Sequence, residues 1–175
     1  LKEMSNVPIA GDPIHYWYGD LKGSSVFADI ACDTAGIYAC LDATRGKVFC
    51  YSDDGYLLYV FGALGGGDGM FKAPAAVTFH GDNAVVLDKE RASVTVFQPT
   101  RYAALIREAA GLQRELEFDK AAEKWNDVLR LNENFELAHI AIGKIAMNAG
   151  DNAAAMENFL KGNSKSLYSK ALEGY

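Results

Sequence analysis

Hydrophobic positions along this chain follow two rules. Up to Phe97, apolar residues alternate with polar ones in short runs separated by Gly, Asp and Asn, the pattern of half-buried strands. From Arg101 onward they recur three and four residues apart, with few Gly and no Pro inside the runs, the pattern of amphipathic helices. The change falls within Ser93–Thr100, Ser-Val-Thr-Val-Phe-Gln-Pro-Thr. Pro99 has no N–H to extend a ladder, and the Thr100 hydroxyl is suited to cap a helix start. The first hundred residues are therefore expected to be strands and the remainder helices.

The alternating runs predict strands at Phe27–Cys32, Ile37–Leu41, Lys47–Ser52 and Leu57–Phe61, then at Ala76–His80, Ala84–Leu87 and Ser93–Phe97. Ser52-Asp-Asp-Gly55 is a hairpin turn signal, and its acids Asp53 and Asp54 read as a solvated turn. Gly62–Gly69 is Gly-rich without the Lys-Ser/Thr of a phosphate loop, and reads as a flexible connector. The two sets of strands are copies. Leu41-Asp42 matches Leu87-Asp88, Arg45 matches Arg91, Val48 matches Val94 and Tyr51 matches Phe97, all at an offset of 46 residues. Four antiparallel strands per such a period is the arithmetic of a propeller blade.

The residues carry a closer likeness. Gly69-Met-Phe-Lys-Ala-Pro74, Val-Val-Leu-Asp88, Arg91 and Val-Thr-Val-Phe97 resemble an NHL repeat, with Gly36-Ile-Tyr, Leu-Asp42 and Arg45-Gly-Lys-Val matching more loosely. Both copies lack the Asn that usually precedes the Arg, and the first lacks the leading Pro. The resemblance implies two blades of a partial NHL-type propeller over residues 24–98. Residues 1–23, with Pro8, Pro13 and an aromatic knot at Tyr16-Trp-Tyr18, read as a linker or the end of a preceding blade. Two blades cannot close a ring, and the chain starts at Leu1 without Met, so a fragment or processed form is expected. The second copy stops at its third strand. Val94–Phe97 is then an open edge that recruits a partner unless it is covered, either by self-association or by packing on the helix that follows.

The helical part repeats as well. Ala121-x-Glu-x-Trp125 returns as Ala155-x-Glu-x-Phe159, and Ala109 returns as Gly143, at an offset of 34 residues. This period, with small residues where paired helices touch and an aromatic plug, resembles the tetratricopeptide (TPR) repeat, although Glu133 stands where that family usually has Pro. The expected fold class is thus multidomain, β then α: propeller blades followed by a TPR-like array of about five helices over residues 99–175. Capping residues set the limits: Thr100 for the first helix, Asn134 for the third and Asp151 for the fourth, with Gly150 ending the third. The second helix is expected over Asp119–Leu131, and a fifth over Ser164–Gly174.

Composition narrows the function. Half of the residues are hydrophobic, enough for packed cores. The net charge is −6, most of it in the strand half, and no basic stripe offers itself to a phosphate backbone, so no nucleic-acid partner is expected. No apolar run reaches the ~18 residues of a membrane span, and no signal-peptide core is seen. Cys32, Cys40 and Cys50 lie in strand runs without a Cys-x-x-Cys pair and are expected to be small buried hydrophobes.

Candidate chemistry is sparse. His15, His80 and His139 have no metal-ligand spacing, and no nucleophile motif occurs. No catalytic residue and no cofactor is expected. Asp42 and Asp88 are weak metal candidates, because some sugar-lactone-cleaving propellers hold calcium with inward acids. The structural alternative is that each closes its own turn beside Arg45 or Arg91. The TPR resemblance implies a groove walled by the first helix of each repeat: Ala103, Ile106, Ala110, Gln113 and Arg114, then Leu137, Ile140, Lys144, Met147 and Asn148. That wall suits an apolar helical or extended peptide. The expected function is a non-enzymatic scaffold binding a protein or peptide through this groove and the propeller surface. The alternative is the C-terminal part of a propeller enzyme or a sugar- or metal-binding propeller. Bacterial proteins that join these two repeat types resemble exported or envelope-associated ones, which sets an extracytoplasmic expectation against a cytoplasmic alternative.

Overall fold

The computed structural model describes residues 25–174, so the reading of residues 1–23, His15 included, lies outside the described residues. Antiparallel sheets come first and five helices follow, a β-then-α arrangement. The chain divides into two units, Leu1–Pro99 and Thr100–Tyr175.

In the first unit, β1 (Phe27–Cys32), β2 (Tyr38–Asp42), β3 (Lys47–Tyr51) and β4 (Leu57–Phe61) form a four-stranded antiparallel meander. Polar turns hold it in register. The Asp33 carboxylate accepts from the Ile37 N–H, and the Ser52 hydroxyl accepts from the Tyr56 N–H. Gly46 turns at φ 64°, where a Cβ would stand 2.7 Å from the Leu64 nitrogen. Gly62–Gly69 is no loose connector. β5 (Ala63–Leu64) pairs in parallel with β6 (Met70–Phe71), the Gly65 N–H donates to the Phe71 carbonyl, and the Arg91 guanidinium donates to the Gly65 carbonyl at 2.9 Å. β7 (Pro74–His80), β8 (Asn83–Asp88) and β9 (Ser93–Phe97) then repeat the meander as a three-stranded sheet.

Register assigns the faces. Leu41, Val48 and Phe61 share a row of the first sheet, and Ala39 and Cys50 share the next row on that face. This face turns to the second sheet. The Phe61 and Phe97 rings lie 4.8 Å apart, and the Asp29 carboxylate of β1 accepts from the Val77 N–H of β7 at 2.8 Å. Val77 and Val86 line the matching face of the second sheet and are buried. Both faces of β2 and β3 are buried in the first sheet, which is why its continuous run of apolar residues outweighs strict alternation.

Cys40 and Cys50 are buried as expected, but Cys32 is exposed. Its strand β1 is a sheet edge: Cys32 and Ile30 share the face of Tyr38 and Cys40, yet both are exposed while Cys40 and Phe49, on the interior strands, are buried. Equivalence to an interior strand position predicts burial only where the strand is itself interior.

The second unit comprises α1 (Arg101–Arg114), α2 (Phe118–Leu131), α3 (Glu136–Asn148), α4 (Asn152–Lys161) and α5 (Lys165–Glu173). α1 packs on α2, α3 packs on α4, and α2–α3 and α4–α5 contacts join the series. Thr100 and Asp151 cap α1 and α4 through side-chain oxygens that accept from the Ala103 and Ala154 N–H groups. Asn134 does not cap α3. A turn from Asn132 to Phe135 intervenes, Asn134 donates its N–H to the Asn132 side chain, and Phe135 becomes the cap residue without a side-chain bond. α1 and α3 end alike. Leu116 and Gly150 both adopt positive φ, and the following N–H groups return to Leu112 and Ala146, closing orphan carbonyls in a Schellman arrangement.

The buried stripe consists of Ile106, Ala109, Ala121, Trp125 and Val128, then Ala138, Ile140, Ala141, Ala155, Phe159 and Ala171. Trp125 donates its indole N–H to the Gln113 side-chain oxygen at 3.0 Å, so its one polar atom stays satisfied inside the unit. Gly143 allows the closest approach: a Cβ there would meet the Phe159 ring at 2.6 Å.

Two measurements check this packing. Gly143→Ala is expected to cost about 1–2 kcal/mol in urea unfolding, because overpacking against a fully buried ring outweighs the ~1 kcal/mol that Ala contributes to helix propensity. Phe159→Leu should cost less in that background than alone, and additive costs would remove the contact. Thiol labelling of the native protein should modify Cys32 rapidly and leave Cys40 and Cys50 protected, with burial holding the Cys40 thiol above its ordinary pKa.

Candidate interaction surface

The predicted groove wall separates on inspection into inward and outward residues. Ile106 and Ile140 are buried in the helical core. Met147 packs against the cluster of Ala155, Phe159 and Ala171, and Gln113 turns in to accept the Trp125 indole hydrogen bond. These four do not form a wall. Each first helix contacts its partner over a wide stripe, and the apolar positions of that stripe are its core. What faces outward is smaller and more polar. Ala103, Ala110, Leu137 and Lys144 are half-buried, and Arg114 and Asn148 are exposed. Ala110 and Lys144, like Arg114 and Asn148, occupy equivalent positions of the two helix pairs at the 34-residue offset.

Salt links decorate the outer surface. Lys124 of α2 reaches Glu108 of α1 at 2.9 Å, and Lys161 reaches Glu157 at 2.7 Å within α4. The hydrogen bond that Lys124 donates to the Glu108 carboxylate holds its ammonium above the ordinary Lys value. Exposed pairs of this kind add little to stability.

In the strand unit, Asp42 and Asp88 are fully buried, and each closes a turn. One Asp42 oxygen accepts from the Thr44 and Arg45 N–H groups while the other meets the Arg45 guanidinium at 3.1 Å. Asp88 is bound differently. Its oxygens accept from the Lys72, Ala73, Glu90 and Arg91 N–H groups at 2.7–3.1 Å. The expected ion pair with Arg91 is absent, since that guanidinium reaches the Gly65 carbonyl instead. Four backbone donors already saturate the carboxylate, so a guanidinium is better placed on an unpaired loop carbonyl.

With backbone and guanidinium donors on their oxygens, these two carboxylates fit a structural role and not a cation site. Among the described residues, no group of three or more His, Cys, Asp or Glu side chains is placed to hold a metal ion. His139 is engaged within the helices, between the Asn158 side chain and the Glu133 carbonyl. No described helix is long and apolar enough to cross a membrane.

Two features carried no advance signal. Asp29 links the two sheets, although its match in the second copy is Ala75, so the repeat does not mark it. Arg91 reaches 26 residues back along the chain, a pairing no local spacing predicts.

Burial pushes the Asp88 carboxyl upward, but the hydrogen bonds from Lys72, Arg91, Ala73 and Glu90 outweigh it and hold it below the ordinary Asp value. A depressed folded pKa contributes stability above the unfolded value of about 3.9, and that stability is lost as pH falls through the folded value. Acid unfolding of the sheets, followed by circular dichroism, should therefore have an acid limb that Asp88→Asn flattens, with the variant also less stable at neutral pH. An unchanged acid limb would discount this carboxylate. Compared with known protein families and with curated proteins, the chain matches none.

Proposed function

We propose that this chain is a non-enzymatic interaction module in which NHL-type blades precede TPR-like helix pairs, and that the helical unit binds a protein or peptide. The observation that supports this reading is the duplicated helix pair. α1–α2 and α3–α4 share close-packed small residues, Ala109 with Gly143 and Ala121 with Ala155, and aromatic plugs, Trp125 with Phe159. An array of this kind presents the outer positions of its first helices as a surface. Here those positions are Ala103, Ala110, Arg114, Leu137, Lys144 and Asn148. The surface offers three apolar contacts and three polar side chains, which suits a segment with exposed carbonyl or carboxylate acceptors better than a wholly apolar helix.

The test is selection of a displayed peptide library on the full chain, followed by calorimetry with the best binder. The expected binder has a Kd of about 1 μM. Lys144→Glu should weaken it about tenfold, or ~1.4 kcal/mol, at a temperature where unfolding measurements show the variant fully folded. A stoichiometric heat with Ca²⁺ or Zn²⁺ alone, abolished by Asp42→Asn or Asp88→Asn, would replace this reading with that of a metal-binding propeller.

A further inference from the structure

The registers of β1–β4 place Ile30, Cys40, Phe49 and Val60 in one row of the first sheet, and Cys32, Tyr38, Tyr51 and Leu57 in another row of the same face. This face lies opposite the one that meets the second sheet. Its middle is closed and its margins are open. Phe49 is 2% and Tyr51 3% exposed, and Cys40 is buried with them, whereas Ile30 is 62%, Leu57 43% and Val60 40% exposed. Rings fill the middle. Tyr38 stacks on Tyr51 at 5.4 Å, Tyr51 on Phe49 at 6.5 Å, and Phe27 meets Phe49 edge-on at 6.0 Å. A ring standing on one sheet face reaches water along its outer edge, so burial as deep as that of Phe49 requires a cover. Among the described residues, the neighbours of the Cys40, Phe49 and Tyr51 cluster are Tyr38 and Phe27, which belong to the same face. β7, the described strand packed on β1 and β2 from outside their sheet, lies on the other face.

We infer that the cover is the chain's own segment Tyr16-Trp17-Tyr18, docked across β2 and β3 on this face. Width argues against a packed sheet as the occupant. A sheet would span all four strands, ~15 Å at the ordinary strand spacing, and would close Ile30 and Val60 together with Phe49. One extended segment covers the middle pair of strands and leaves both margins in water, which is the burial pattern observed. Chemistry selects the segment. The strand unit begins at Leu1, and the aromatic residues of its first 24 positions are Tyr16, Trp17 and Tyr18. Rings pack on rings in offset or edge-on contact, with their N–H and O–H groups directed to the wet margins. The chain is long enough for the return. Six residues, 19–24, separate Tyr18 from Ser25, and at ~3.3–3.6 Å each they span about 20 Å, more than the width of the sheet. The segment is thus a strap that closes the free face of the first sheet.

The inference is independent of peptide binding by the helices, and the native cysteines of the full chain report on it. Cys40 lies on the strapped face, Cys50 on the face that meets the second sheet, and Cys32 is exposed. Tyr16→Ser, Trp17→Ser and Tyr18→Ser together should raise the thiol-labelling rate of Cys40 at least about tenfold, toward that of Cys32, because access no longer waits on local opening. Cys50 should stay protected. An unchanged Cys40 rate would overturn the proposal. A second measurement keeps an aromatic group in the segment. With the photoreactive p-benzoylphenylalanine in place of Trp17, irradiation should join position 17 to the 38–51 stretch of the same chain, as mapped by mass spectrometry of the digested protein. Crosslinks confined to other stretches would overturn the proposal, whatever the serine variant does. Links between two chains that rise with protein concentration would assign the cover to a second copy and overturn it equally.

Discussion

Much of the strand unit depends on one buried carboxylate. Asp88 ends β8, and its oxygens gather N–H groups from Lys72 and Ala73 ahead of β7 and from Glu90 and Arg91 in the turn to β9. Four donors that strand pairing leaves over are satisfied at one point, where each would otherwise carry the cost of an unpaired buried amide. The lead-in to the sheet and the turn between its last two strands are thereby held at a fixed separation. Asp42 does the equivalent work in the first sheet with fewer backbone donors and the Arg45 guanidinium. The same residue type closes the same turn by two different donor sets, which explains how the copies diverge without losing the meander.

A parallel logic governs the helices, where the constraint is steric. Gly143 lets Phe159 sit against the α3 backbone, and Gly162 lies where a Cβ would strike Ile140 at 2.7 Å. Such closeness brings the apolar positions of α3 inward, and Ile140 becomes core. The surface left to solvent is therefore built from what the packing does not use, and smaller or polar residues such as Ala110, Lys144 and Asn148 define its chemistry.

The two units also differ in how completely they close upon themselves. Within the helices, successive pairs cover one another's stripes. Within the sheets, Leu87, Val94 and Val96 share one face of the second sheet and are exposed. Edge protection is partial as well. Among the described residues, β9 pairs with β8 alone, and its outward valines lack the charged or bulged features that blunt a sheet edge.

The alternation and its break at Pro99 determined the order of strands and helices. The 46- and 34-residue periods located equivalent positions, and side-chain caps at Thr100 and Asp151 marked two helix starts. These are local properties: a period, a missing N–H or a hydroxyl three residues from an amide acts wherever the chain goes. The Gly62–Gly69 loop was misread because glycine content shows freedom, not the Phe71 carbonyl or the Arg91 guanidinium that remove it. Cys32 shares its strand pattern with buried residues, and its place on the edge strand leaves it exposed. Ile106 and Ile140 carry the same apolar signal whether they line a groove or a core. Which face of an amphipathic element meets a partner is settled by the neighbouring element, because burial is a property of pairs of surfaces and not of either sequence alone.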